Sequence, residues 1–186
     1  MVTDEKLVEE SLAGSELAFS ELVARYQSRL LRYLLTRCAN RADAEDAVQD
    51  TFISAYRYLY SFNPRWRFST WIYRIAIRNA ARQSRADVQA VDEIVDEDAA
   101  DPLEEYIVAS DRENVWLAAK RLLNQDAYAA MWLRYVEDMS IKEVARALDK
   151  TQSWTKVNLL RGRRSLSAEF ADSVPDEARR QNYGRI

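Results

Sequence analysis

Histidine is absent from the 186 residues. That excludes a Ser–His–Asp triad and a di-iron bundle built on Glu-x-x-His. Cysteine occurs once, at Cys38, so no internal disulfide can form; the thiol reads as small buried packing in a reducing cytosol. Glycine and proline number three each, too few to punctuate an all-β or α/β fold. There is no glycine-rich phosphate loop. No apolar run approaches the roughly 18 residues a bilayer span needs, and the first residues are acidic, unlike a secretion signal. What is abundant is Ala, Leu, Arg and Glu at helical spacing. The expectation is a soluble, cytoplasmic, all-α protein that is not an enzyme and carries no cofactor and no metal.

A net charge of −3 conceals strong segregation. Residues 61–85 hold six arginines and no acid, residues 86–113 eleven acids and one arginine, and residues 140–166 seven basic and two acidic side chains. Solvated helix faces usually mix the two signs. Two basic blocks around an acidic segment point instead to two polyanion-contacting surfaces.

The apolar spacing predicts helices over about 16–38, 42–60 and 69–85, with a short one near 5–12. Pro64 forbids a continuous helix through 61–68. Residues 86–109, acidic and with Pro102, cannot bury much and read as a flexible linker. A second set of helices follows near 111–123, 126–137, 140–148 and 152–169. The architecture expected is therefore two small helical domains, 1–85 and 110–170, with a frayed tail over 171–186.

Within the second set, Ser140 and Glu143 have the spacing of a capping box, and Val144, Ala147 and Leu148 share one face. Thr151 can cap the next helix. The pair has the layout of a helix-turn-helix, whose second helix lies in the DNA major groove. Taken alone, it is as compatible with plain helix packing. In the first set, aromatics alternate with arginines from Tyr58 to Arg78. Phe68, Trp71 and Ile75 fall at core spacing. Asn63, Arg65 and Trp66 belong to the loop, where a ring offers a π-face to an unstacked base and a guanidinium neutralises phosphate.

Two blocks together resemble a known family. Asp43-Ala44-Glu45-Asp46-Ala47-Val48-Gln49-Asp50-Thr51-Phe52, with Phe68-Ser69-Thr70-Trp71-Ile72-Tyr73-Arg74-Ile75-Ala76 and Arg78-Asn79, resembles region 2 of bacterial extracytoplasmic-function (ECF) sigma factors of the sigma-70 family. Leu133 to Ser140, through Glu143-Val144-Ala145 to Arg161-Gly162-Arg163-Arg164, resembles their region 4. The likeness implies a factor that binds core RNA polymerase, recognises a two-part promoter and promotes DNA melting for transcription initiation. An alternative is a sigma-like adaptor or mimic that binds an anti-sigma protein rather than promoter DNA; the six arginines of 61–85 tell against it.

The resemblance also implies roles. Glu45, Asp46, Gln49, Asp50 and Phe52 would dock on the β′ clamp helices of core polymerase, whose β flap is a further partner. Asn63, Arg65, Trp66, Arg67, Trp71, Arg74, Arg78, Asn79 and Arg82 would meet the minus-ten DNA. Gln152, Ser153, Trp154, Lys156, Asn158, Arg161, Arg163 and Arg164 would meet the minus-thirty-five DNA. An anti-sigma factor is an implied regulator. The chain departs from the family pattern at Asp149, where glycine is common, and at Trp154, which either packs between the helices or contacts DNA.

Overall fold

The computed structural model describes residues 2–90 and 111–172, with side chains over 2–81 and 115–171. The first module comprises α1 (Asp4–Leu12), α2 (Glu16–Leu34), α3 (Arg41–Arg57), a 3₁₀ turn (Leu59–Ser61) and α4 (Phe68–Ala90). The second comprises α5 (Asp111–Leu122), α6 (Gln125–Tyr135), α7 (Ile141–Leu148) and α8 (Gln152–Asp172). With so little glycine and proline, the helices are punctuated by caps. Thr3, Ser15, Asn40 and Asn124 each accept a bond from the backbone N–H three residues on, opening α1, α2, α3 and α6.

Some boundaries differ from the sequence expectation. The periodicity carries α2 to residue 38, but the helix stops at Leu34. Beyond it the Thr36 hydroxyl donates to the Tyr33 carbonyl at 2.6 Å, and the Arg37 N–H bonds back only to Leu34. That tightening ends the helix. α3 closes at Arg57 into the 3₁₀ turn, where the Ser61 hydroxyl donates to the Tyr58 carbonyl at 2.7 Å. α4 runs on to Ala90, so the first five residues assigned to the linker are helical. The remainder of that segment, and the tail from residue 173, lie outside the described residues.

Leu22, Leu30, Tyr33 and Leu34 of α2 pack on Ala44, Ala47 and Ala55 of α3 and on Phe68, Ile72, Tyr73 and Ala76 of α4, all buried. Alanines on the inner face of α3 let the helices approach closely. In the second module Ala127 to Leu133 of α6 are buried in an unbroken row, enclosed by α5, α7 and α8. Gly162 lets α8 lie tight on α6, since a Cβ there would meet the Met131 Sδ at 3.1 Å.

The modules are packed against each other, chiefly through α4 and α7. Tyr33 and Trp132 approach with ring centroids 6.2 Å apart. Arg29 of α2 pairs with Glu137, just beyond α6. Burial pulls the Arg29 guanidinium down, and the Glu137 carboxylate beside it outweighs that and holds it above its ordinary value.

Candidate nucleic-acid interface

The loop after the 3₁₀ turn is built by its own side chains. The Asn63 Oδ1 accepts from the Arg65 N–H at 3.0 Å, and the Asn63 carbonyl accepts from the Trp66 N–H at 3.1 Å. This is an Asx turn with Pro64 at the position its ring pre-sets. It leaves Asn63, Arg65 and Arg67 exposed and sets Trp66 half-buried at the head of α4. Trp71 packs edge-on against Phe62, centroids 5.8 Å apart, which in turn meets buried Phe68. Trp71 is thus part of an aromatic cluster that braces the loop.

Down α4, Arg74 and Asn79 are half-buried and Arg78 is exposed; Arg82 lies on the same helix. A groove of about 490 Å³ runs beside them, lined by Tyr58, Trp71, Arg74, Ile75, Arg78 and Asn79. Its upper end narrows to a cavity of about 50 Å³ under Asn63, Trp66 and Thr70. Among the described residues, the Arg74 Nε, the Asn79 Nδ2 and the Thr70 Oγ1 are buried without a hydrogen-bond partner. Buried polar atoms are almost always satisfied, so these three stand out behind the walls of the groove and of the small cavity. Arg146 of the second module stands in both spaces.

The second basic face begins with the capping box, formed as its spacing requires. The Ser140 Oγ accepts from the Glu143 N–H at 3.3 Å, and the Glu143 Oε2 accepts from the Ser140 N–H at 2.8 Å. α7 ends at Asp149, in the left-handed region at φ 58°. Thr151 caps α8, accepting from the Trp154 N–H at 3.1 Å. Gln152, Ser153, Lys156, Arg161, Arg163 and Arg164 are exposed along α8. Trp154 is half-buried and packs on the core, with the Lys150 ammonium 5.4 Å from its ring. Part of its ring thus packs on the core and part remains exposed. The Asn158 amide donates to the Trp154 carbonyl at 2.9 Å, which ties it to the helix.

On α3, Glu45, Asp46, Gln49 and Asp50 are exposed, and Glu45 pairs with Arg41 at 2.9 Å. Phe52 is buried in the core behind them and offers little surface for docking. The helix therefore presents a carboxylate face with apolar support beneath it.

Residues 22–88 match the model of Sigma-70 region 2. The ECF RNA polymerase sigma-E factor of Haemophilus influenzae is 33% identical over 175 residues, covering 87% of this chain and 92% of that one. The chain belongs to the ECF family of RNA polymerase sigma factors. The Escherichia coli K12 sigma-E factor is 31% identical over 182 residues, covering 89% and 93% of the two chains. In fold, this ECF sigma factor superposes on CnrH, solved with the cytosolic domain of CnrY, at a TM-score of 0.66 and 22% identity, covering 92% and 99%. It matches the sigma factor RpoE of Bartonella quintana, solved with the anti-sigma factor NepR, at 0.66 and 22%, covering 81% and 94%.

Membership makes the chain a DNA-binding transcription initiation factor that works with RNA polymerase on promoter DNA. Among its described residues, no helix is long and apolar enough to cross a membrane. Sequence reasoning missed Tyr58, Thr70 and Arg146 as walls of the groove. Tyr58 opens the aromatic–arginine stretch and Thr70 lies inside a quoted motif, so both were within reach of a local reading. Arg146 reaches the groove only through packing of the modules.

Proposed function

We propose that this sigma factor opens promoters by holding the minus-ten strand on the first module while α8 reads the minus-thirty-five element. The observation that carries this is the groove along α4, where aromatic rings and cationic side chains converge. Trp66 and Trp71 supply π-faces for an extruded base, and Asn63, Arg65, Arg67, Arg74, Arg78, Asn79 and Arg82 supply phosphate and base-edge contacts. Extrusion costs a few kcal/mol, which stacking at about 1–3 kcal/mol per base offsets.

On α8, Gln152, Ser153 and Lys156 lie in the first turns, where base edges are reached, with Trp154 and Asn158 supporting them. Arg161, Arg163 and Arg164 meet phosphate farther along. The exposed carboxylates and amide Glu45, Asp46, Gln49 and Asp50 dock on the β′ clamp helices, since an acidic helix is steered toward a basic partner. The second module meets the β flap. An anti-sigma protein is the proposed regulator, consistent with CnrH and RpoE having been solved with CnrY and NepR.

The test is reconstitution. Purified chain added to core polymerase is expected to give run-off transcripts from a cognate promoter. Failure to associate with core polymerase at any ionic strength would overturn the proposal.

A further inference from the structure

The arginine face assigned to the minus-ten strand is partly covered by the second module. The Trp66 ring has the Arg146 guanidinium 4.2 Å and the Lys142 ammonium 4.8 Å from its centroid. The Arg67 Nη1 donates to the Asp138 carbonyl at 3.4 Å, and its Nε lies 3.9 Å from the Glu143 carboxylate. Arg74 and Arg78 meet the two carboxylate oxygens of Asp149, at 3.1 and 3.8 Å. The second module is basic over 140–166, yet both acids in that stretch, Glu143 and Asp149, point at arginines of the first.

The backbone adds an independent observation. Among the described residues, the non-glycine positions with positive φ are Asp138 at 50° and Asp149 at 58°. Both lie on this seam. A left-handed backbone favours glycine and is tolerated by aspartate at a cost. Position 149 caps the end of α7, where a left-handed residue is common and is usually glycine. At position 149 the side chain that glycine would lack is the one that bridges Arg74 and Arg78.

We infer that α7 and the Asp149 turn are an internal stand-in for the promoter strand, with Asp149 the latch that holds the free sigma factor shut. This rests on the reading of the α4 face as the strand-contacting surface. Carboxylates occupy the places of phosphates, and a guanidinium caps the ring on which a base would stack. The 50 Å³ left beneath Trp66 and Arg146 holds a few waters and is too small for a nucleobase. The strand gains Trp66, Arg67 and Arg74 in full only when the second module swings away, so engagement with DNA and opening of the modules are linked. The latch is exposed and modest in strength, which suits a contact that must release.

The test uses the full chain as Asp149→Asn and Asp149→Gly. Asparagine keeps the turn and removes the charge. Glycine removes both charge and strain, so its thermal midpoint should not fall. Binding of a labelled mixed-sequence single-stranded DNA oligonucleotide is followed by anisotropy, and the radius of gyration by small-angle scattering. Both variants should bind about three- to tenfold more tightly than the parent and be more expanded. Glu16→Gln, an equal charge change on the exposed start of α2, should do neither. Unchanged dimensions would overturn the latch. So would unchanged affinity, or a gain equalled by Glu16→Gln. If neither parent nor variant bound the strand while Asp149→Asn still expanded, the latch would stand and the strand-contact reading would fail.

Discussion

Arg29 and Glu137, 108 residues apart in sequence, form an ion pair that joins the two modules. The Arg29 Nε donates to the Glu137 Oε2 at 3.0 Å, and its Nη2 bonds the same oxygen. The pair is unequal, because the glutamate side chain is 1% exposed and the arginine 34%. Removing one partner of a buried pair costs most when the survivor cannot reach water. Arg29→Ala strands the carboxylate and is expected to destabilise by about 3 kcal/mol. Glu137→Gln leaves a guanidinium that can turn to solvent, and should cost nearer about 1 kcal/mol. Urea unfolding of both variants checks the order; equal losses would contradict it.

Trp66 sits on an Asx turn rather than in the core, so its ring can be removed without opening a buried cavity. Trp66→Ala is expected to leave affinity for core polymerase unchanged within about twofold. It should slow promoter opening by about tenfold, the equivalent of roughly 1.4 kcal/mol and within the range of one base stack. A template already melted at the minus-ten element should restore the rate. Equal impairment on intact and pre-melted templates would show that the ring does not act in strand separation.

On α8, the two kinds of contact separate by their response to sequence and salt. Gln152→Ala removes a base-edge group and should relax discrimination at one base pair by about 1–3 kcal/mol. Arg163→Ala removes a phosphate partner. It should weaken all sequences alike and lower the slope of log affinity against log salt by about one. Competition binding with single-base promoter variants at several salt concentrations distinguishes them.

What the sequence disclosed, and what it hid, follow from the range of each interaction. The Ser140–Glu143 box and the Thr151 cap were legible because donor and acceptor lie three residues apart. The helices themselves were legible from periodicity, and their ends less so, since the Thr36 hydroxyl decides where α2 stops. The family resemblance implied a docking role for Phe52. Burial depends on which face of α3 meets α2 and α4, and there it points inward. The two basic blocks read as separate surfaces. Nothing local announces that Arg146 lies over Trp66, because that contact exists only once the modules pack.

Tyr33 offers a test of stability that spares every proposed contact. Its ring is wholly buried, 5.6 Å from that of Tyr73, and its hydroxyl has no hydrogen-bond partner. A buried hydroxyl left unsatisfied costs about 1–3 kcal/mol. Tyr33→Phe should therefore stabilise by about 1 kcal/mol, raising the thermal midpoint by about 2–4 °C. A lower midpoint would mean that the hydroxyl is satisfied in solution.

The same residue fixes the alkaline limit of the fold. Burial pushes the Tyr33 phenol up to about 12, from an ordinary value of 10.0. Tyr26 and Tyr73 are also raised, in each case first by burial. Between these two values the unfolded chain releases the Tyr33 proton while the folded chain keeps it. The unfolded state then binds fewer protons, so stability is full below about pH 10 and falls as pH rises toward 12. For Tyr33 alone the loss across that window is about 3 kcal/mol. Urea midpoints measured from neutral to strongly alkaline pH should be flat and then decline, with tyrosinate absorbance appearing together with unfolding. Tyr33→Phe should decline less steeply. A tyrosinate signal that develops fully while the helices remain intact would show that these rings are accessible in the folded chain.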